Sequence, residues 1–176
     1  MDKTFISNMI QDYERDLLGN WYTLHLSNGE VLSFAIEQKN IPHLLGIRKL
    51  PLRQAQGKSA QALYDMLKDG RITLDHIARF KEAYKKVMAF PQIVSILHCE
   101  DAVKIVKRIG SLCSRYLLFL DHRPCEITHL GLVEDDAGIW HPESFLILQR
   151  NVTAYINGQL PVDIVEMVVS ERMSNE

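Results

Sequence analysis

Apolar residues recur along this chain with two periods, and the switch between them marks its elements. Over residues 2–18, Phe5, Ile6, Met9, Ile10, Tyr13 and Leu17 fall on one helical face, while Asp2, Lys3, Gln11, Asp12, Glu14 and Arg15 fill much of the other. Gly19 is placed to stop that helix, because glycine adopts the left-handed backbone of a C-terminus without strain. The pattern then turns β-prone at residues 21–26 and again at 31–36, around Ser27-Asn28-Gly29-Glu30. Asn-Gly between two such runs predicts a hairpin, since both residues tolerate positive φ.

Helical spacing returns between residues 58 and 97. Ala60, Leu63, Tyr64 and Leu67 repeat at three and four, and Gly70 ends that run. Thr73 is the expected N-cap of a second helix running through Ile77, Phe80 and Tyr84. Pro91 breaks it, and Ile93, Val94 and Leu97 continue a short apolar element. The last third predicts strands. Residues 116–120 are almost wholly apolar, as in a strand covered on both faces. Further strands are expected within 127–133 and 139–148, around an Asp135-Asp136-Ala137-Gly138 turn. Residues 163–170 read as a closing strand and Tyr155-Ile156-Asn157-Gly158 as a turn. This order predicts an α+β fold, with two or three helices packed on one face of a sheet, rather than an alternating βαβ fold.

Composition narrows the class. The 176 residues are 47% hydrophobic and 24% charged, ordinary values for a chain with a packed core. A formal net charge of -2 excludes whole-molecule attraction to nucleic acid, so RNA contact requires a local basic patch. Three cysteines, Cys99, Cys113 and Cys125, point to reduced thiols in a cytoplasmic protein. The mixed opening Met1-Asp2-Lys3-Thr4-Phe5 has no apolar core, so no secretory signal is expected. No run approaches the roughly 18 apolar residues of a membrane span, and no membrane partner is expected.

Candidate chemistry concentrates in Lys39-Asn40-Ile41-Pro42-His43-Leu44-Leu45-Gly46-Ile47, which precedes Arg48, Lys49, Arg53 and Lys58. Imidazole titrates near neutrality, which makes His43 a candidate proton-transfer group. Arg48 and Lys49 are candidate phosphate holders, Arg through two parallel hydrogen bonds and Lys as a point charge. The core-type neighbours Leu44, Leu45 and Ile47 also suit a histidine that bonds only to backbone. On an alternating strand, His129 would share a face with Ile127, Gly131 and Val133, and Gly131 would leave room for a ligand beside the ring. A half-buried histidine bonded to a neighbour is the plainer alternative. Trp140 offers a surface on which a base can stack, or a cover for an apolar edge.

Lys104, Lys107, Arg108 and Arg115 form a second basic region, three of them on one rough face if the stretch is helical. Lys81, Lys85 and Lys86 read as a solvated helix face. His122, Cys125 and His129 have a spacing that zinc accepts, but no paired Cys-x2-Cys unit accompanies them, so no metal is expected. His98 and Cys99 are adjacent, so their side chains diverge on a regular element. With no phosphate-binding loop and no dinucleotide fingerprint, no cofactor is expected.

Two further motifs carry a family resemblance. His43-Leu44-Leu45-Gly46 and Pro142-Glu143-Ser144-Phe145 read as an early HLxG and a late PxSF motif. In these motifs and in element order over roughly residues 20–170, the chain resembles the phage-associated nuclease-like group placed with Barnase, EndoU, colicin and RelE ribonucleases. The resemblance implies one nuclease-like α+β domain over 20–176 after an N-terminal helix at 1–19, with helices on a curved antiparallel sheet. It also implies metal-independent RNA cleavage by a toxin or effector of a mobile element. His43 and Ser144 are the motif positions, Ser144 as a hydrogen-bond donor to a phosphate oxygen. Arg48, Lys49, Arg115 and Trp140 are then the expected RNA contacts, and His129, His141 or Tyr116 the second proton-transfer group. The competing class is an inactive inhibitor or regulatory module that binds RNA or a protein partner on the same scaffold. The sequence carries no signal for an oligomeric state.

Overall fold

The two sequence periods produce two kinds of packing. The computed structural model describes residues 4–120, 126–149, 151 and 155–171. Most of the helices gather in one unit, Met1–Leu18 with Glu37–Pro91, and the strands in another, Gly19–Ile36 with Gln92–Glu176. The fold is α+β, with an N-terminal helix followed by a strand hairpin.

In the helical unit, α1 (Phe5–Asp16) buries Ile6, Met9, Ile10 and Tyr13, and Gly19 follows it at φ 85°. α1 packs on α3 (Ala60–Lys68), which presents Leu63, Tyr64, Met66 and Leu67. Ser59 caps α3 by accepting from the Ala62 amide at 3.1 Å. Glu14 of α1 ties the two helices, accepting from Tyr64 Oη at 2.6 Å and Lys68 Nζ at 2.7 Å. Partial burial opposes the ionised Glu14 carboxyl, but those two bonds outweigh it and lower its pKa. Between them in sequence stands α2 (Asn40–Leu44).

The expected helix from Thr73 through Tyr84 is two: α4 (Leu74–Ile77) and α5 (Lys81–Ala89). The buried positions explain the break. Ile77 and Ala83 are both in the core, yet six residues along one continuous helix would leave them about 120° apart. A kink at 78–80 brings both inward. Pro91 ends α5 as expected, within a 3-10 turn at Phe90–Gln92.

In the strand unit, β1 (Asn20–Leu26) and β2 (Val31–Ala35) form the predicted hairpin, with Leu24 opposite Leu32. Tyr22, Leu24 and Leu26 are buried while Trp21, Thr23 and His25 between them are not, the period-two signature of a half-buried strand. Only Gly29 in the turn takes positive φ, at 84°. Its amide donates to Leu26 O and the Leu26 amide donates to Glu30 O, a three-residue loop in which Asn28 has no positive φ.

α6 (Ile93–Leu97) follows, then β3 (Asp101–Lys104), β4 (Tyr116–Leu120), β5 (Glu126–Glu134), β6 (Trp140–Gln149) and β7 (Leu160–Glu171). The strands close into a barrel in the order β1-β2-β6-β5-β4-β3-β7. All described neighbours are antiparallel except β2 and β6, which meet in parallel at Phe34 and Trp140. The sheet is therefore mixed at that one seam. β7 pairs with both β1 and β3, so the expected closing strand closes the barrel. β4 lies between β3 and β5, as its apolar run predicted, and α6 packs on β4 and β5. Lys104, Arg108 and Arg115 do not share a helix. Lys104 ends β3, and the segment from 105 to 115 is loop that meets β5 again at Arg115, whose amide donates to Leu132 O.

Candidate functional site

The strand unit holds a cavity of about 260 Å³ lined by Glu30, Val31, Leu32, Lys104, Arg115, Tyr116, Glu134 and Trp140. β-pairing assembles it. Lys104 and Tyr116 are partners across β3 and β4, and Glu134 and Trp140 across β5 and β6. Arg115 and Trp140, two of the expected RNA contacts, thus line one cavity. Its floor is aromatic. Trp140 meets Tyr116 edge-on, with centroids 5.5 Å apart at 67°. The Lys104 ammonium stands 5.7 Å from the Tyr116 centroid, and Asn28 Nδ2 donates to the Tyr116 hydroxyl at 3.1 Å.

Both cations carry a carboxylate partner. Lys104 Nζ donates to Glu30 Oε1 at 2.7 Å, and Arg115 Nη1 donates to Glu134 Oε2. The Lys104 bond holds the Glu30 carboxyl below the usual carboxylate range. The cavity therefore combines two planar rings with two neutralised ion pairs.

Beside it in sequence is a polar contact that linear reading missed. Ser144, on β6, faces Gly131 on β5, and Ser114 reaches the same point from the loop before β4. Ser114 Oγ lies 3.1 Å from Ser144 Oγ and 3.0 Å from Glu143 Oε2. A Cβ on Gly131 would stand 2.2 Å from both serine hydroxyls. The room expected over Gly131 for a ligand is taken by these side chains. Only strand register brings the three together, so no local motif announces them.

His129 lies on the same β5 face, one pleat from Gly131. It is 1% exposed, between the rings of Phe119 and Tyr155 at 6.1 and 6.0 Å. Neither ring nitrogen has a hydrogen-bond partner among the described residues. Burial lowers its pKa to about 4, against a weaker opposing pull from the backbone at Ile127 and Leu146. The ring is out of reach of a polynucleotide in this conformation. His141 is more open. Its Nε2 is 2.8 Å from Asp135 Oδ2, while Asp135 Oδ1 accepts the Ala137 and Ile139 amides at 2.9 Å. The Ile139 amide is the main cause of the lowered Asp135 pKa, with His141 next.

The helical unit carries the other set. His43 is half-buried in the last turn of α2, and its carbonyl accepts the Gly46 amide at 2.9 Å. Gly46, at φ 74°, turns the chain into a 3-10 turn at Ile47–Lys49. Ile47 is buried and Arg48 and Lys49 are exposed. Arg48 and Lys49 make no ion pair with the described residues, and His43 makes no side-chain hydrogen bond with them. This turn groups His43 with two unneutralised cations. Of the zinc-type trio, His122 and Cys125 lie outside the described residues, and no metal-binding group of ligands occurs among those that are described. Burial pushes the Cys99 thiol up to about 11, away from the reactive thiolate.

A family model described as phage-Barnase-EndoU-ColicinE5/D-RelE like nuclease4 matches residues 5–162. The chain belongs to this phage nuclease-like family. The family span takes in both motifs, with His43 in the helical unit and Ser144 in the strand unit, and it includes every residue lining the cavity. No curated protein and no solved structure matches the chain. No helix among the described residues is long and apolar enough to cross a membrane.

Proposed function

We propose that this nuclease-family chain cuts RNA without a metal ion, as a toxin or effector of a mobile element acting in the cytoplasm. The cavity carries the reading: two aromatic rings and two cations line one space in a member of a nuclease family. RNA supplies its own nucleophile. Its 2′-hydroxyl attacks the adjacent phosphorus, a base removes the hydroxyl proton, and an acid protonates the leaving 5′-oxygen. In this reading Trp140 offers the base a stacking surface, with the buried Tyr116 packed edge-on against it, and Arg115 and Lys104 stabilise charge on the phosphate. In the helical unit His43 is the proton-transfer group of this reading, with Arg48 and Lys49 as phosphate holders; in the strand unit Ser144 contacts the sugar–phosphate backbone. The free thiols of Cys99 and Cys113 suit a reducing compartment.

One observation favours the second reading, an inactive module that binds RNA or a protein. Lys104 and Arg115 are already paired with Glu30 and Glu134, so a phosphate must displace a carboxylate to reach them. The deciding experiment is incubation of purified protein with total RNA, with and without EDTA. Cleavage should persist in EDTA and leave 2′,3′-cyclic phosphate ends. His43→Ala should lower the rate by about 10²–10⁴-fold, and its expression should relieve growth arrest in a bacterial host. Trp140→Ala should weaken RNA binding by about 1–3 kcal/mol. Intact RNA, with wild type and His43→Ala binding a partner equally, would replace the enzyme with the binding module.

A further inference from the structure

A hydroxyl has one proton, and in the Ser114–Ser144–Glu143 contact that single proton settles a direction. An ionised carboxylate only accepts, so Ser114 spends its proton on Glu143 Oε2 at 3.0 Å. The 3.1 Å contact between the two serines then requires Ser144 to donate and Ser114 to accept. No other side-chain hydrogen bond of Ser144 occurs among the described residues. Ser114 is held in place: it is 3% exposed, and its Oγ and Cβ sit where a Gly131 side chain would be, at 2.2 and 2.9 Å. Ser144 is half-buried. With its proton turned toward Ser114, its oxygen keeps its lone pairs for an incoming donor.

We infer that Ser114 is a positioning residue that makes Ser144 a hydrogen-bond acceptor, so that Ser144 reads the donor hydrogen of a ribose 2′-hydroxyl rather than holding a phosphate oxygen. Phosphate oxygens are acceptors and would meet lone pair against lone pair. The ribose 2′-hydroxyl is the group that distinguishes RNA from DNA, and it donates as well as accepts. The inference rests on the RNA reading above. It replaces the expected donor role of Ser144, and it gives Glu143 a purpose as the acceptor that orients the chain Ser144 to Ser114 to Glu143.

The test compares two single-stranded oligonucleotides that lack a 2′-oxygen and so resist attack by it. One carries 2′-amino sugars, which donate, and the other 2′-fluoro sugars, which do not. Fluorescence anisotropy under mildly alkaline conditions, where the amine is neutral, gives both affinities. Wild type should prefer the amino strand by roughly 2- to 10-fold, the worth of one neutral hydrogen bond. Ser144→Ala should abolish the preference. Ser114→Ala frees the Ser144 proton and should shrink the ratio. Glu143→Ala, at a half-buried position, should shrink it too and guards against a Ser114 variant that fails to fold. A merely structural Ser114 would weaken both affinities and leave their ratio alone, which overturns the inference. So does a wild-type ratio near one in a protein that still cuts RNA, and there the nuclease reading survives. Binding of neither strand, with RNA left intact, overturns both.

Discussion

Replacing Gly131 by alanine adds one methyl group where the structure has no room. Gly131 has no positive φ, so the backbone accepts an L side chain and any cost is steric. The new Cβ would stand 2.2 Å from Ser114 Oγ, 2.2 Å from Ser144 Oγ and 2.9 Å from Ser114 Cβ. Half-exposed Ser144 can rotate away. Buried Ser114 cannot do so without leaving Glu143. Overpacking costs about 1–3 kcal/mol, and a hydrogen bond to a charged group contributes about 1.5–3 kcal/mol. Together these put Gly131→Ala about 2.5–6 kcal/mol below wild type, a fall in Tm of roughly 5–24 °C at this chain length. Thermal and guanidinium unfolding followed by circular dichroism measure it. Ser114→Gly in the same chain removes two of the three close contacts, so the double variant should be less destabilised than the two single losses added together. Stability within about 0.5 kcal/mol of wild type, the range of a neutral surface change, would refute the packing argument. It would also undercut the orientation of Ser144, which depends on Ser114 being fixed.

Protonating His129 should destabilise the fold. Its folded pKa, near 4, lies below the ordinary 6.5, so the unfolded chain binds the proton more readily between those values. This contribution is complete above about pH 6.5 and falls away toward pH 4, by about 3 kcal/mol; His129→Leu should flatten that limb of the stability–pH curve. Gln159 is buried, accepts the Val106 and Lys107 amides at 2.9 and 3.0 Å, and donates to Lys107 O at 3.1 Å. Gln159→Ala should cost about 1–3 kcal/mol and speed hydrogen exchange at those two amides, with unchanged exchange as the contrary result. Arg48→Ala should reduce the log–log salt slope of RNA binding by about 0.7, the value for one lost contact to single-stranded nucleic acid. Lys104→Ala should change it less, because Lys104 already has a counterion in Glu30.

Local order was legible where one pattern decided it. The α1 face, the hairpin around Gly29, the strand at Tyr116–Leu120 and the closing strand β7 all follow from period and turn residues. Misreadings came where a competing pattern was in play. Asp101–Lys104 was hidden by the charges that follow it, although β-branched Val103, Ile105 and Val106 close together are a strand signal. The Thr73 cap was sound, but the phase of buried residues shifts between Ile77 and Ala83, and a continuous helix cannot follow that shift. For the candidate site, Arg115 and Trp140 were visible as a cation and an aromatic ring. Glu30 and Glu134 were not, because nothing local says that a hairpin-turn glutamate will meet Lys104 across the barrel. Ser114 had no signal at all. Its place is set by the register of β5 on β6 and by a glycine small enough to admit it.

The electrostatics of the two residue sets differ in kind, and this bears on how they act. Arg48 and Lys49 are exposed and unpaired among the described residues, so each carries a loose counterion that a phosphate can release. Such contacts give affinity that falls with salt and does not depend on sequence. Lys104 and Arg115 are held by Glu30 and Glu134 beside two rings. Their charge is already neutralised, and the lowered Glu30 pKa keeps that carboxylate ionised through the neutral range. A phosphate gains little there unless the rings also hold a base and the carboxylate finds a new partner. A cavity of this kind is poor at gathering polyanions and suited to discriminating among them, since a ligand must satisfy ring, cation and carboxylate at once. Ser144 adds a requirement of the same type, for a donor at the sugar. In the proposed RNA reading, general attraction would belong to the cations around His43, unpaired among the described residues, and selection to the paired groups of the strand unit.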